Sequence, residues 1–196
     1  MRIKNIIAHL LKHDEKVLFL TKLLSPNFDP EKDLEIQENC NYVHRFKALT
    51  VEFDKINWFG RTGLNISFLE NFGYSKTHGI LFCENNIESD EDLVRRILIH
   101  ELVHLYDVKV RKLDLTTIEG LVESEMRAYD FCEQCKQFEG GVFADFDHAK
   151  CVASWVFASV KSMKNGEEIV IPSKIEIQSK FLAERDKIME DLQATK

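Results

Sequence analysis

The chain has 196 residues, 44% of them apolar, and a net charge of −7 from 26 basic and 33 acidic side chains. That length supports one domain, 1–196, with a sizeable core. The acidic balance argues against nucleic acid as a partner, and no apolar run approaches the roughly 20 residues of a membrane span.

Ile3, Ile6, Ile7, Leu10 and Leu11 recur at three- and four-residue steps, which predicts an amphipathic helix running to about residue 24 within an N-terminal region 1–30. No acidic residue precedes Asp14, as in mitochondrial targeting helices, but a single Arg and no Ser favour an ordinary first helix. Nothing reads as a secretory signal peptide. Ser25-Pro26 through Pro30 ends the helix, and a polar stretch follows. Residues 49–54 alternate as a strand does, 64–68 alternate again, and Ile80-Leu81-Phe82-Cys83 forms a short apolar run, so 49–83 reads as a small sheet.

The sharpest signal lies in the next element. Residues 99–107 read Ile-His-Glu-Leu-Val-His-Leu-Tyr-Asp and contain an HExxH at His100, Glu101 and His104. Four residues make about one helical turn, so both imidazoles leave the same face. Two such imidazoles can hold one Zn²⁺ at about 2.0–2.1 Å. Glu101 can then serve as general base toward the attacking water. Ser89 is the expected N-cap, and Asp90, Glu91 and Asp92 load the first turn with charge that the helix dipole favours. Leu93, Ile97, Leu98, Leu102 and Leu105 keep helical spacing through the motif.

Three further helices are expected over 116–137, 145–164 and 173–193, so 89–196 reads as the HExxH helix followed by a helical subdomain. The order, a small sheet and then a metal helix, is that of zinc proteases. There an edge strand, here 64–68 or 80–83, can pair with the substrate backbone. A catalytic zinc needs a third protein ligand. Position 110 is Val, which removes the class with a third His six residues after the second. Glu119, Glu123 and Glu125 all fall on the next helix, Asp114 falls in the connection, and helix geometry alone does not choose among them. Asp107 shares the motif's face and is expected to accept a hydrogen bond from a ligand imidazole or to pair with Arg127 or Arg111. The five cysteines at 40, 83, 132, 135 and 151 include one CxxC but no second half of a four-cysteine site. They read as structural thiols or disulfide partners rather than a second metal centre.

Three strings in order, Cys83-Glu84-Asn85-Asn86-Ile87, His100 to Asp107, and Glu125-Met126-Arg127-Ala128 with a Cys at 135, resemble one family. It is that of the mitochondrial inner-membrane metalloproteases that mature an ATP-synthase subunit, also known as Ku-binding proteins. The resemblance covers about residues 80 to 160. It implies an α+β, zincin-like metalloendopeptidase with one zinc ion, peripheral to the inner membrane in the intermembrane space. Its implied substrate is the precursor of an ATP-synthase subunit, and its implied second role is assembly of the synthase's membrane sector. Residue by residue it implies His100 and His104 as ligands, Glu101 as the catalytic carboxylate and Glu125 as third ligand. The chain departs from the family in holding only five cysteines, with Glu123 where the family has a Cys before Ser-Glu. The rival reading is a non-proteolytic assembly factor or binding module whose metal serves structure alone. A nuclear Ku-binding adaptor finds no basic run to support it.

Overall fold

The computed structural model describes residues 3–37, 48–53, 77–84, 87, 90–138, 143–163 and 170–193. They divide into two compact units, Met1–Val110 and Arg111–Lys196. Helices dominate and a small sheet accompanies them, an α+β composition. Among the described residues no helix is long and apolar enough to cross a membrane.

The first unit opens with two helices where the apolar periodicity predicts one: α1 (Ile3–His13) and α2 (Glu15–Leu24). Asp14 causes the break. Its backbone is extended, and its carboxylate accepts a hydrogen bond from the Val17 amide at 2.9 Å, capping α2. A short α3 (Pro30–Asp33) leads into β1 (Leu34–Gln37), which begins the sheet earlier than residue 49. Four residues, Leu-Glu-Ile-Gln, are too few for alternation to stand out from a polar stretch. The sheet continues with β2 (Ala48–Phe53) and β3 (Thr77–Cys83), in the order β1-β3-β2. Ile80 of β3 pairs with Leu34 in the parallel ladder and with Thr50 in the antiparallel one. Residues 80–83 are therefore interior to the sheet and cannot be the edge that receives a substrate strand. The other expected edge, 64–68, lies outside the described residues.

Helix α4 (Glu91–Lys109) carries the HExxH. Its N-cap is Asp90, whose carboxylate accepts from the Leu93 amide at 2.8 Å; Ser89, the expected cap, lies outside the described residues. Within this unit α4 packs against α1, α2, β2 and β3. Val94, Leu98, Ile99, Leu102, Val103 and Leu105 are all fully buried, each large apolar side chain contributing about 1.5–3 kcal/mol. Ion pairs pin both ends of the helix: Arg95 with Asp14 at 2.6 Å, and Lys109 with Asp33 at 2.8 Å. Helix α4 thus falls within the first unit, with the sheet.

The second unit holds α5 (Ile118–Phe131), α6 (Ala144–Met163) and α7 (Lys174–Gln193). Thr117 caps α5 by accepting from the Gly120 amide at 3.1 Å. The expected helix 116–137 ends at Phe131, because Glu133 adopts a left-handed backbone (φ 62°) and turns the chain into a 3₁₀ segment over Lys136–Phe138. That turn brings Cys135 to a disulfide with Cys151 on α6, while Cys132 remains a buried thiol. The CxxC is thus neither an internal pair nor half of a metal site. Leu121 and Val122 of α5, Val152, Val156 and Val160 of α6, and Ile177, Phe181, Ile188 and Leu192 of α7 supply the core.

Candidate metal centre

On α4 the two imidazoles converge as helical spacing requires. Nε2 of His100 and Nε2 of His104 stand 3.0 Å apart, with the rings edge-to-face and their centroids 4.6 Å apart. Two imidazoles presenting ring nitrogens this close suit a shared cation. Nitrogen ligands of a tetrahedral zinc sit about 3.3 Å from each other, only a few tenths of an ångström wider. Glu101 and His104 are buried, at 6% and 5% exposure, and Asp107 is fully buried one turn on. Ionisable side chains buried in this way are retained in a core only when they have partners.

The carboxylates proposed from sequence as third ligand occupy different environments. Glu125, on α5, is fully buried and accepts a hydrogen bond from the Ser159 hydroxyl at 3.1 Å. Glu123 is half-buried and pairs with Arg111 at 2.8 Å. Glu119 is exposed. Asp114 is exposed and accepts from both the amide and the hydroxyl of Thr116, which hold its carboxyl below the usual carboxylate value. Among the described residues, the ligand-type side chains that could hold a metal ion are His100 and His104 of the first unit and Glu125 of the second. Two imidazoles and a carboxylate are a donor set that suits a borderline-soft divalent ion such as zinc.

Arg127 is also fully buried, but the partners described for it lie on α7. Its guanidinium forks onto Asp191 at 2.8 and 3.0 Å and also donates to the Ile188 carbonyl. The electrostatics of the second unit centre on Asp130. His148 Nε2 lies 2.6 Å from its Oδ1, and Arg185 donates to both oxygens at 2.9 and 3.2 Å. Burial alone would raise the Asp130 carboxyl, and the contacts from His148 and Arg185 outweigh it and hold the carboxyl below its usual value. Sequence reasoning missed this cluster and missed Ser159. Ser159 follows the buried Val156 by three residues and so borders the apolar face of α6, a polar residue where the helical pattern leads to the core.

The Peptidase M76 family model matches residues 3–174. The mitochondrial inner membrane protease ATP23 of Debaryomyces hansenii is 39% identical over 66 residues, which cover 34% of this chain and 28% of that protein. The protein of the same name from Meyerozyma guilliermondii is 39% identical over 64 residues, 33% of this chain and 26% of that protein. The matched stretch thus spans little more than a quarter of either relative's length. No solved structure matches the chain.

Proposed function

The chain belongs to the Peptidase M76 family, and from that premise we propose that it is a zinc-dependent endopeptidase of zincin-like design. The observation that carries this reading is the pair of imidazole nitrogens 3.0 Å apart on α4, with the buried carboxylate of Glu101 next to the first of them in sequence. His100 and His104 would hold one ion, with Glu125 as the third ligand and one position left for chemistry. The chemistry supplied by a bound zinc ion is Lewis-acid polarisation of a carbonyl and a lowered pKa for water.

Everything else falls to the chain's own groups. The Glu101 carboxylate takes one proton from the attacking water as its oxygen bonds to the scissile carbonyl carbon. It then returns that proton to the amine nitrogen as the C–N bond breaks. Water is thereby added across one peptide bond, and Glu101 ends as it began. Asp107, buried one turn beyond His104, is suited to fix the orientation of a ligand imidazole, and Arg127 is suited to hold α5 and its carboxylate in place.

The relatives' names support a protease of the mitochondrial inner membrane, and the resemblance carried by the strings at 83–87, 100–107 and 125–128 supports the substrate we propose. It is a polypeptide, the precursor of an ATP-synthase subunit, cut at the mitochondrial inner membrane from the intermembrane-space side. The enzyme associates with that membrane peripherally and assists assembly of the synthase's membrane sector. The test is to replace the resident enzyme in mitochondria with wild-type or Glu101→Gln chain and read the N-terminus of the subunit by mass spectrometry. Processing is expected with the wild type and absent with the variant. A mature N-terminus in both would refute a proteolytic role and leave assembly alone.

A further inference from the structure

Glu125 receives a hydrogen bond from a different helix. Ser159 Oγ, on α6, donates to Glu125 Oε1 at 3.1 Å. The carboxylate is fully buried, so this bond acts in a low dielectric, where a charged acceptor is held more firmly than in water. Ser159 itself sits between Val156 and Val160, both at 0% exposure, on a helix that cannot drift along α5. At the other end of α6, His148 Nε2 lies 2.6 Å from Asp130 of α5, and Cys151 is covalently joined to Cys135. The hydroxyl therefore occupies a place set by a rigid element.

We propose that Ser159 is a positioning residue of the metal centre. Its hydroxyl engages one carboxylate oxygen of Glu125, fixes the plane of the group, and directs Oε2 to the ion. The inference rests on the reading of Glu125 as third ligand. Removing such a supporting hydrogen bond costs about 10–100-fold in metal affinity.

The experiment measures zinc affinity of the purified full chain against a chromophoric chelator. It compares wild type, Ser159→Ala, Ser159→Thr, Glu125→Gln, and Ser159→Ala combined with Glu125→Gln. Thermal unfolding of the metal-free chains confirms that each is folded. Ser159→Ala is expected to bind zinc about 10–100-fold more weakly, Ser159→Thr to recover most of that loss, and Ser159→Ala to cost nothing further once Glu125 is Gln. A wild-type affinity for Ser159→Ala beside a weakened Glu125→Gln would overturn the role of Ser159 while leaving the ligand reading intact. An equal loss from Ser159→Ala in both backgrounds would also overturn it, because a general packing effect would not depend on the carboxylate. Wild-type affinity for Glu125→Gln would instead overturn the ligand reading.

Discussion

Removing the Cys135–Cys151 disulfide is expected to loosen the helical unit by a calculable amount. The bridge spans a sequence separation of 16. In the chain-entropy model, closing a loop of that size removes about 10 cal/mol/K from the unfolded chain, or about 3 kcal/mol at 25 °C. For a chain of this length each kcal/mol moves the unfolding temperature by about 2–4 °C, so a fall of about 6–12 °C is expected. Cys132 is a buried thiol three residues from Cys135 and could pair with Cys151 in its place. The comparison is therefore made in a Cys132→Ala background, adding Cys135→Ala and Cys151→Ala. Urea unfolding followed by circular dichroism should show a lower midpoint and a steeper denaturant dependence, because the unfolded chain is no longer held compact. An unchanged midpoint and slope would show that the bridge does not restrain the unfolded chain and would refute this reasoning.

Gly120→Ala should be poorly tolerated, since a Cβ there would stand 2.1 Å from the Asp114 carbonyl oxygen. A loss of about 1–3 kcal/mol is expected in urea titration, and a neutral result would contradict the close approach. Asp130 should shape the acid limb of stability. Its folded value lies below the unfolded one of about 3.9, so its contribution is present above that pH and is lost as pH falls through the folded value. Asp130→Asn is expected to cost about 1.5–3 kcal/mol at neutral pH and to flatten stability below about pH 4; parallel curves for the two proteins would sink this assignment. Arg127→Lys should cost about 1–3 kcal/mol in the same titration, because a point charge cannot fork onto both oxygens of Asp191.

The HExxH helix was the most legible part of the molecule because its signals agree. Caps, first-turn charge and apolar spacing all point to one helix, and the ligand spacing follows from the same geometry. The division between α1 and α2 was partly visible, since an Asp three residues before Val17 is an N-cap pattern, but the continuous apolar periodicity masked it. The strand order was not legible. Pairing between residues as distant as Leu34 and Ile80 depends on contacts that no local pattern encodes, so the sequence alone does not distinguish the centre of the sheet from an edge. Glu125 carried a signal that spacing between acids did not use. It lies on the same helical stripe as the buried Leu121, Ala128 and Cys132, and a carboxylate in an apolar stripe calls for a partner. Ser159 and the Asp130–His148–Arg185 cluster depend on helices brought together from distant parts of the chain.

The account is tested most directly by zinc content and proteolysis measured on the same purified samples of wild type, Glu101→Gln and His104→Ala. Cleavage of an unfolded protein substrate is read by mass spectrometry, and zinc by elemental analysis. The wild type should hold one zinc per chain and cleave. Glu101→Gln should hold one zinc and lose cleavage by several orders of magnitude, as removal of a base that moves the proton twice requires. His104→Ala should lose both. Undiminished cleavage by Glu101→Gln, or full zinc content in His104→Ala, would contradict the assignment of base and ligand on α4.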